Sequence, residues 1–405
     1  MSLVIPPAPT ALRPPPTATA SPADPLAPPA LDALADELHA LANAREARGD
    51  VGFPAASFRR LAELGLLAAP LPRSEGGRGL GTDPPGARPA LELLRALGRG
   101  DLAVGRLYEG HLNALVLVWA YGTAEQRARA AADARAGRLF GVWNTGPAEG
   151  NVRLAPAAGG GAVLAGGKTF CSGAGDLARA VVTGAWDEGG PAAGGWQMCL
   201  VPVDEVPAAV DRSSWHPLGM EASASYAVRF DGVALGPDAL LGAPGDYYHQ
   251  PLFTGGAVRF AAVQLGGAER LLRDACAFVA AQGHGDDPFQ AARLAEVAAL
   301  VEGGAGWIAG AAERAARWMR VDRAPAPEEA DAMCAYANLM RAAVQQACER
   351  AGVLVARCVG ARGLLAPHAF GRVLRDLTTY LRQPAPDASL ADAGRWTIAR
   401  GGRLP

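Results

Sequence analysis

Residues 163–185 read VLAGGKTFCSGAGDLARAVVTGA, and the rest of the chain is best understood outward from them. A short apolar run, a GGK break, the run TFCSG, a polar GDLA turn and the β-branched run AVVTGA predict strand, turn, strand. The glycines mark points where the backbone must bend or approach a neighbour closely. Phe170, Cys171 and Ser172 stand side by side at the end of a strand. An apolar ring face beside a hydroxyl suits a flat ligand with a polar edge. The same pattern also fits an edge hairpin with a buried phenylalanine, and this stretch alone leaves both open. Lys168 is the only lysine; the other basic residues among the 38 Lys+Arg are arginines.

At 405 residues the chain exceeds one ordinary core, so two or three subdomains are expected, and half of its residues are hydrophobic. A net charge of −2, with both signs spread throughout, points to neither nucleic acid nor an anionic membrane surface as partner. Six cysteines show no C-x-x-C pair and no zinc spacing, and six scattered histidines suggest no metal site. The cysteines fit small core residues of a reduced, cytoplasmic protein. No transmembrane span or signal peptide is expected.

The texture changes three times along the chain. Residues 1–29 are rich in proline and alanine and predict a disordered or extended tail. Residues 30–138 show helical spacing in five runs, the apolar stretch after Glu109 reading as a helix buried inside a bundle. From 139 to 245 short β runs alternate with glycine and proline turns, which predicts a compact sheet or small barrel. Residues 246–405 return to helical period in four long runs, an antiparallel bundle. The fold class is therefore α+β: N-terminal helical domain, central β domain, C-terminal four-helix bundle. The Gly266–Gly267 pair suits close helix packing, within a subunit or between subunits. No dinucleotide fingerprint, Walker loop, nucleophile elbow or HExxH helix occurs, so a bound organic cofactor is the economical source of any chemistry.

LAGGKTFCSG (164–173) resembles the central sheet motif of the acyl-CoA dehydrogenase family. Three further stretches agree in order and spacing: FRRLAELGLLAAPLPRSEGGRGLGTDP (58–84), HPLGMEASASYAVRFDGVAL (216–235) and GARGLLAPHAFGRVLRDLTTY (360–380). The resemblance spans roughly residues 35 to 395. It implies FAD, ahead of FMN, with Trp143 and Thr145 of FGVWNTGP at the ring's pyrimidine edge and Phe170 and Ser172 near its reactive centre. It further implies a flavin clamp from a neighbouring subunit through Gly360 and Gly363, hence a homodimer or homotetramer. The clamp's usual arginine, three residues before a phenylalanine, is replaced: Asp286 precedes Phe289.

The family's catalytic glutamate is also missing. Its two usual positions fall on Pro384, eight residues after the Arg375–Asp376 pair, and on Val258, followed by Arg259. Neither side chain can abstract a proton. Asp387 is displaced by three residues. Glu109 matches a pocket-floor position, and His111 follows two residues on, about 200° away around a helix. These two are the catalytic candidates, and Arg259 is the substrate-side one. Three readings compete. The first is a dehydrogenase oxidising the α,β bond of an acyl thioester and passing electrons to an electron-transfer flavoprotein. The second is a flavin monooxygenase on the same scaffold, served by a flavin reductase, with His111 steadying the oxygen adduct. The third is a non-enzymatic assembly protein.

Overall fold

The helical periods become ten α-helices and the β runs ten strands in a computed structural model that describes residues 24–318 and 325–405. The expectation of a disordered tail lies outside the described residues up to position 23. Helix α1 (Pro28–Ala47) begins on a proline, whose missing N–H costs nothing in a first turn, and buries Leu31, Leu34 and Leu38 along one stripe. Helices α2 (Ala55–Glu63), α3 (Ala87–Gly100), α4 (Leu102–Tyr121) and α5 (Ala124–Arg135) complete the N-terminal unit. The Asp101 side chain caps α4 by accepting the Ala103 N–H at 2.9 Å, while Arg45 of α1 pairs with it at 2.8 Å. Thr123 and Gln126 form a reciprocal capping box at the start of α5.

Ten short strands follow: β1 (Phe140–Trp143), β2 (Arg153–Pro156), β3 (Ala162–Ala165), β4 (Gly167–Cys171), β5 (Arg179–Trp186), β6 (Trp196–Val201), β7 (Ala209–Asp211), β8 (Tyr226–Arg229), β9 (Val233–Leu235) and β10 (Leu240–Leu241). Seven form one sheet centred on β5, which runs parallel to β1 and β2 and antiparallel to β6. The other three form a separate sheet in the order β4-β8-β7. The opening stretch is thus no hairpin. It holds three strands: β3 and β5 belong to the seven-stranded sheet, and β4 between them crosses into the other. Strands β2, β7 and β10 escape a sequence reading because they are two to four residues long and are carried by their neighbours' ladders.

Long helices α6 (Leu252–Ala281), α7 (Pro288–Trp318) and α8 (Pro327–Gly363) and the shorter α9 (Phe370–Tyr380) build the C-terminal bundle. A tenth helix, α10 (Pro386–Ala399), lies beyond the four runs expected in this region; Pro386 opens it. Helix α6 packs backbone to backbone against α3. A Cβ at Gly266 would lie 2.1 Å from the Arg95 carbonyl oxygen, and one at Gly98 2.0 Å from that of Val263. The glycine pair therefore serves packing within the chain. By length and apolarity α7 (Pro288–Arg317) is the one described helix that reaches the measure of a membrane span; here it lies along α8 and α6 of the bundle.

Candidate active site

Strand alternation decides what the first β segment offers. Side chains along β1 face opposite ways in turn. Val142, then Asn144 and Thr145 just past the strand, line a cleft of about 1040 Å³, while Trp143 is buried behind it. Trp143 packs against Phe230, ring centroids 6.4 Å apart, and its indole N–H donates to the Ser172 carbonyl at 3.1 Å. Trp143 therefore braces the second β segment from the rear, a correction to its expected place at a ring edge. Thr145 does face the cleft.

The second segment enters through a bulge. The β4–β8 register shifts between Lys168 and Cys171, and Phe170 adopts φ 54°. A left-handed backbone costs a non-glycine residue about 1–2 kcal/mol, and such strain collects at functional sites. What it achieves here is visible. The Phe170 ring, 61% exposed, stands in the cleft edge-on to Trp215 at 6.0 Å. Beside it the Ser172 hydroxyl shares a hydrogen bond of 2.8 Å with Ser225, which in turn meets Ser223 at 2.7 Å.

The lone lysine orients a residue that the sequence reading passed over. Lys168 is buried, and its Nζ donates to the Asn144 carbonyl (2.8 Å), Asn151 Oδ1 (2.9 Å) and Thr183 Oγ1 (3.2 Å), above the Trp196 ring at 4.8 Å. Burial pushes its pKa down to about 8. An ammonium only donates, so Thr183 accepts from it and passes its own proton to Asn144 Oδ1 at 2.7 Å. Trp196 Nε1–H donates to the same oxygen at 3.0 Å. With its acceptor doubly engaged, Asn144 has only its Nδ2–H₂ left to present to the cleft. The sequence signal was there, a single lysine two residues before the phenylalanine, but its partners lie on three other segments.

Across the cleft the wall is helical and charged. Glu109 of α4 is buried; Arg106 pairs with its Oε2, and Asn113 Nδ2 donates to its Oε1. Arg259 of α6 donates Nε–H to Asn113 Oδ1. The four form one chain, Arg106–Glu109–Asn113–Arg259. Tyr380, at the end of α9, is buried beside Arg106 and Glu109. Its hydroxyl is close enough to feel both charges but makes no hydrogen bond of ordinary geometry, and burial raises its pKa well above the phenol range. Asn113 and Tyr380 were not among the residues singled out by sequence.

His111 does not belong to this wall. It is fully buried, Nε2 donates to the Leu67 carbonyl at 2.8 Å, and Nδ1 accepts the Phe140 N–H at 3.1 Å. Because the Phe140 amide can only donate, the proton sits on Nε2, and burial pushes the pKa down to about 4. Both nitrogens are committed to backbone, and the residue does not line the cleft. The expected catalytic histidine is a link between the N-terminal helices and β1.

The vacant base positions remain vacant. Pro384 lines the cleft, Val258 is buried on α6, and Asp387 is exposed in the first turn of α10, off the cleft. Glu109 is the only carboxylate among the lining residues. Gly360, at φ 57°, kinks the end of α8 and Gly363 closes it; neither lines the cleft of its own chain. The Arg375–Asp376 pair does positional work: Asp376 Oδ1 accepts the Met220 N–H at 2.6 Å and holds the 214–220 loop against the cleft. Burial pushes its pKa up to about 6. Among the described residues no group of three His, Cys, Asp or Glu side chains is placed to hold a metal ion.

Residues 29–138 match the family model "Acyl-CoA dehydrogenase, N-terminal domain". The dibenzothiophene monooxygenase of Mycolicibacterium goodii is 26% identical over 365 residues, covering 84% of this chain and 86% of that one. Among solved structures, TdsC from Paenibacillus sp. A11-2 in complex with FMN and indole superposes with a TM-score of 0.83 at 22% identity, over 93% and 97% of the two chains. Butyryl-CoA dehydrogenase from Megasphaera elsdenii superposes with a TM-score of 0.76 at 18% identity, over 91% and 97%.

Proposed function

We propose that this flavin oxidoreductase, whose residues 29–138 match the acyl-CoA dehydrogenase N-terminal domain and whose described residues carry that fold, is a flavin monooxygenase acting on a small organic molecule. One observation carries the reading: the cleft has no free carboxylate. Glu109, its only one, is engaged through both oxygens, and the family's base positions hold proline and valine. An acyl thioester brought to such a cleft would find no carboxylate free to take its α-proton.

The β wall fits a flavin ring. Asn144 Nδ2–H₂ and the Ser172 hydroxyl supply donors for a polar edge, and Phe170 and Trp215 supply an apolar face. We take the flavin to be FMN. The place of the arginine that would meet a pyrophosphate is Asp286, exposed just ahead of α7 and of the wrong sign, and the Paenibacillus relative holds FMN. Reduced flavin, when bound, supplies the electrons with which dioxygen delivers one atom to substrate and leaves the other as water. The chain's own part is to donate hydrogen bonds from Asn144 and Ser172 and to keep water out with Leu117, Val142 and Phe260. A flavin reductase is the fitting electron source. Exposed Phe289, Leu364 and Leu365, at the start of α7 and just past the glycine clamp segment, support a homo-oligomer.

The test is reconstitution. The protein should retain FMN through gel filtration, and after anaerobic reduction it should be reoxidised by dioxygen, with Asn144→Ala releasing more hydrogen peroxide per turnover. Retention of FAD alone, or a reduced protein indifferent to dioxygen, would overturn the reading.

A further inference from the structure

The helical wall holds a cation that the protein does not itself neutralise. Both oxygens of Glu109 are spent, one on Arg106 and one on Asn113, so two guanidinium groups share a single carboxylate. Arg259 gives its Nε–H to Asn113, and among the described residues no acceptor meets either of its Nη groups. It is enclosed on every side but the cleft, and the burial lowers its pKa, the mark of a charge held with too few partners.

The other arginines of the cleft are already occupied. Arg341 donates to Ser389 Oγ (3.1 Å) and the Pro384 carbonyl (2.6 Å) and lies 5.2 Å from the centre of the Phe260 ring. Arg382 pairs with Glu349 at the surface. Arg106 has Glu109 for its counter-ion, whereas Arg259 has no carboxylate of its own and presents both Nη groups as an open fork; Tyr380, its hydroxyl beside Arg106, lines the same wall. A guanidinium fork matches the two oxygens of a planar oxyanion.

Resting on the functional reading above, we infer that this corner is the substrate's anion site. Arg259 takes the carboxylate, or an equivalent sulfur oxyanion, of a substrate whose apolar body lies along Leu117, Val142 and Phe260. The neighbouring charge chain gives this corner its preference. Glu109 holds Arg106 and Asn113, Asn113 fixes the Arg259 plane, and a neutral ligand leaves the fork unsatisfied. The cleft should therefore favour an anionic ring compound over its neutral parent.

Calorimetry on the flavin-loaded protein, oxidised and under nitrogen, tests this with indole-3-carboxylate against indole. The wild type should bind the carboxylate about tenfold tighter or better. In Arg259→Met that preference should fall to near unity with flavin retention unchanged, and Arg259→Lys should restore part of it. Equal binding of the two probes by wild type, or a preference that survives in Arg259→Met, would overturn the inference. Loss of flavin from both variants would also overturn it, because Arg259 would then be serving the cofactor's phosphate. If the methionine variant does not fold, the lysine variant and Tyr380→Phe carry the same comparison, each expected to narrow the preference. No oxygen enters the experiment. A chain that binds the carboxylate through Arg259 yet never reacts with dioxygen breaks the monooxygenase reading and leaves the anion site standing.

Discussion

On the β side of the cleft, Asn144, Ser172 and Thr183 close their hydrogen bonds into chains that end on neutral partners or on one fully satisfied lysine. On the helical side, Arg106, Glu109, Asn113 and Arg259 form a chain that ends on an open guanidinium. The first side is closed on itself before any ligand arrives, and Asn144 has one orientation left to it. The second has valence to spare. A preorganised wall suits a resident cofactor that is always the same, and an unsatisfied one suits a substrate that completes it.

The largest effect should come from breaking the charge chain. Glu109→Gln leaves Arg106 and Arg259 without a carboxylate in their chain, and the loss of stability in chemical denaturation should be about 3 kcal/mol. A loss within error would mean that the cleft's water, and not Glu109, balances those arginines.

Next comes Asp376, which holds the cleft-lining 214–220 loop. The folded Asp376 carboxyl keeps its proton up to about pH 6, whereas its ordinary value is 3.8. Between those values the folded chain binds more protons than the unfolded one, so wild-type stability falls as pH rises through that window. Asp376→Asn lacks this titration. Relative to it, wild type should lose about 2–3 kcal/mol between pH 4 and pH 6 and little beyond. Parallel denaturation curves for the two proteins across that range would refute the assignment.

The β wall answers to smaller changes. Lys168→Met strands three acceptors and frees Thr183 to turn away from Asn144, at a cost of about 2 kcal/mol. Flavin affinity should fall with it, because Asn144 loses its enforced orientation. Smallest is Ser172→Ala, which removes one hydroxyl from the cleft and should weaken flavin binding by about 0.5–1.5 kcal/mol with a shifted flavin spectrum. A spectrum and retention identical to wild type would place the ring elsewhere.

The helices and their order were legible because apolar spacing over many residues survives local exceptions; α4 read as a buried helix and α6 as a long bundle helix from their sequence alone. The division of residues 163–185 between two sheets was not, since strand pairing is settled by residues far along the chain: β4 needs β8, and β5 needs β1 and β6. The same limit governed the site. Phe170, Ser172, Thr145, Glu109 and Arg259 all line the cleft, as their stretches suggested. Trp143 went wrong by one step of strand alternation, and His111 by its turn around α4, where an apolar neighbourhood read as a pocket is a packed core. Asn144 was passed over because its value lies in what Lys168, Thr183 and Trp196 do to it, and that relation appears only when the segments meet.

His216 is the one imidazole on the cleft's lining, and the central claim is that no carboxylate there is free to take an α-proton. Anaerobic mixing of the flavin-loaded protein with straight-chain acyl-CoAs, followed by flavin absorbance, tests it most directly. A missing general base is worth about 10²–10⁴ in rate, so bleaching should be slower than turnover by that order or absent altogether. Rapid bleaching without oxygen would contradict this and restore the dehydrogenase reading, with Glu109, released from Arg106 and Asn113, or His216 as the base.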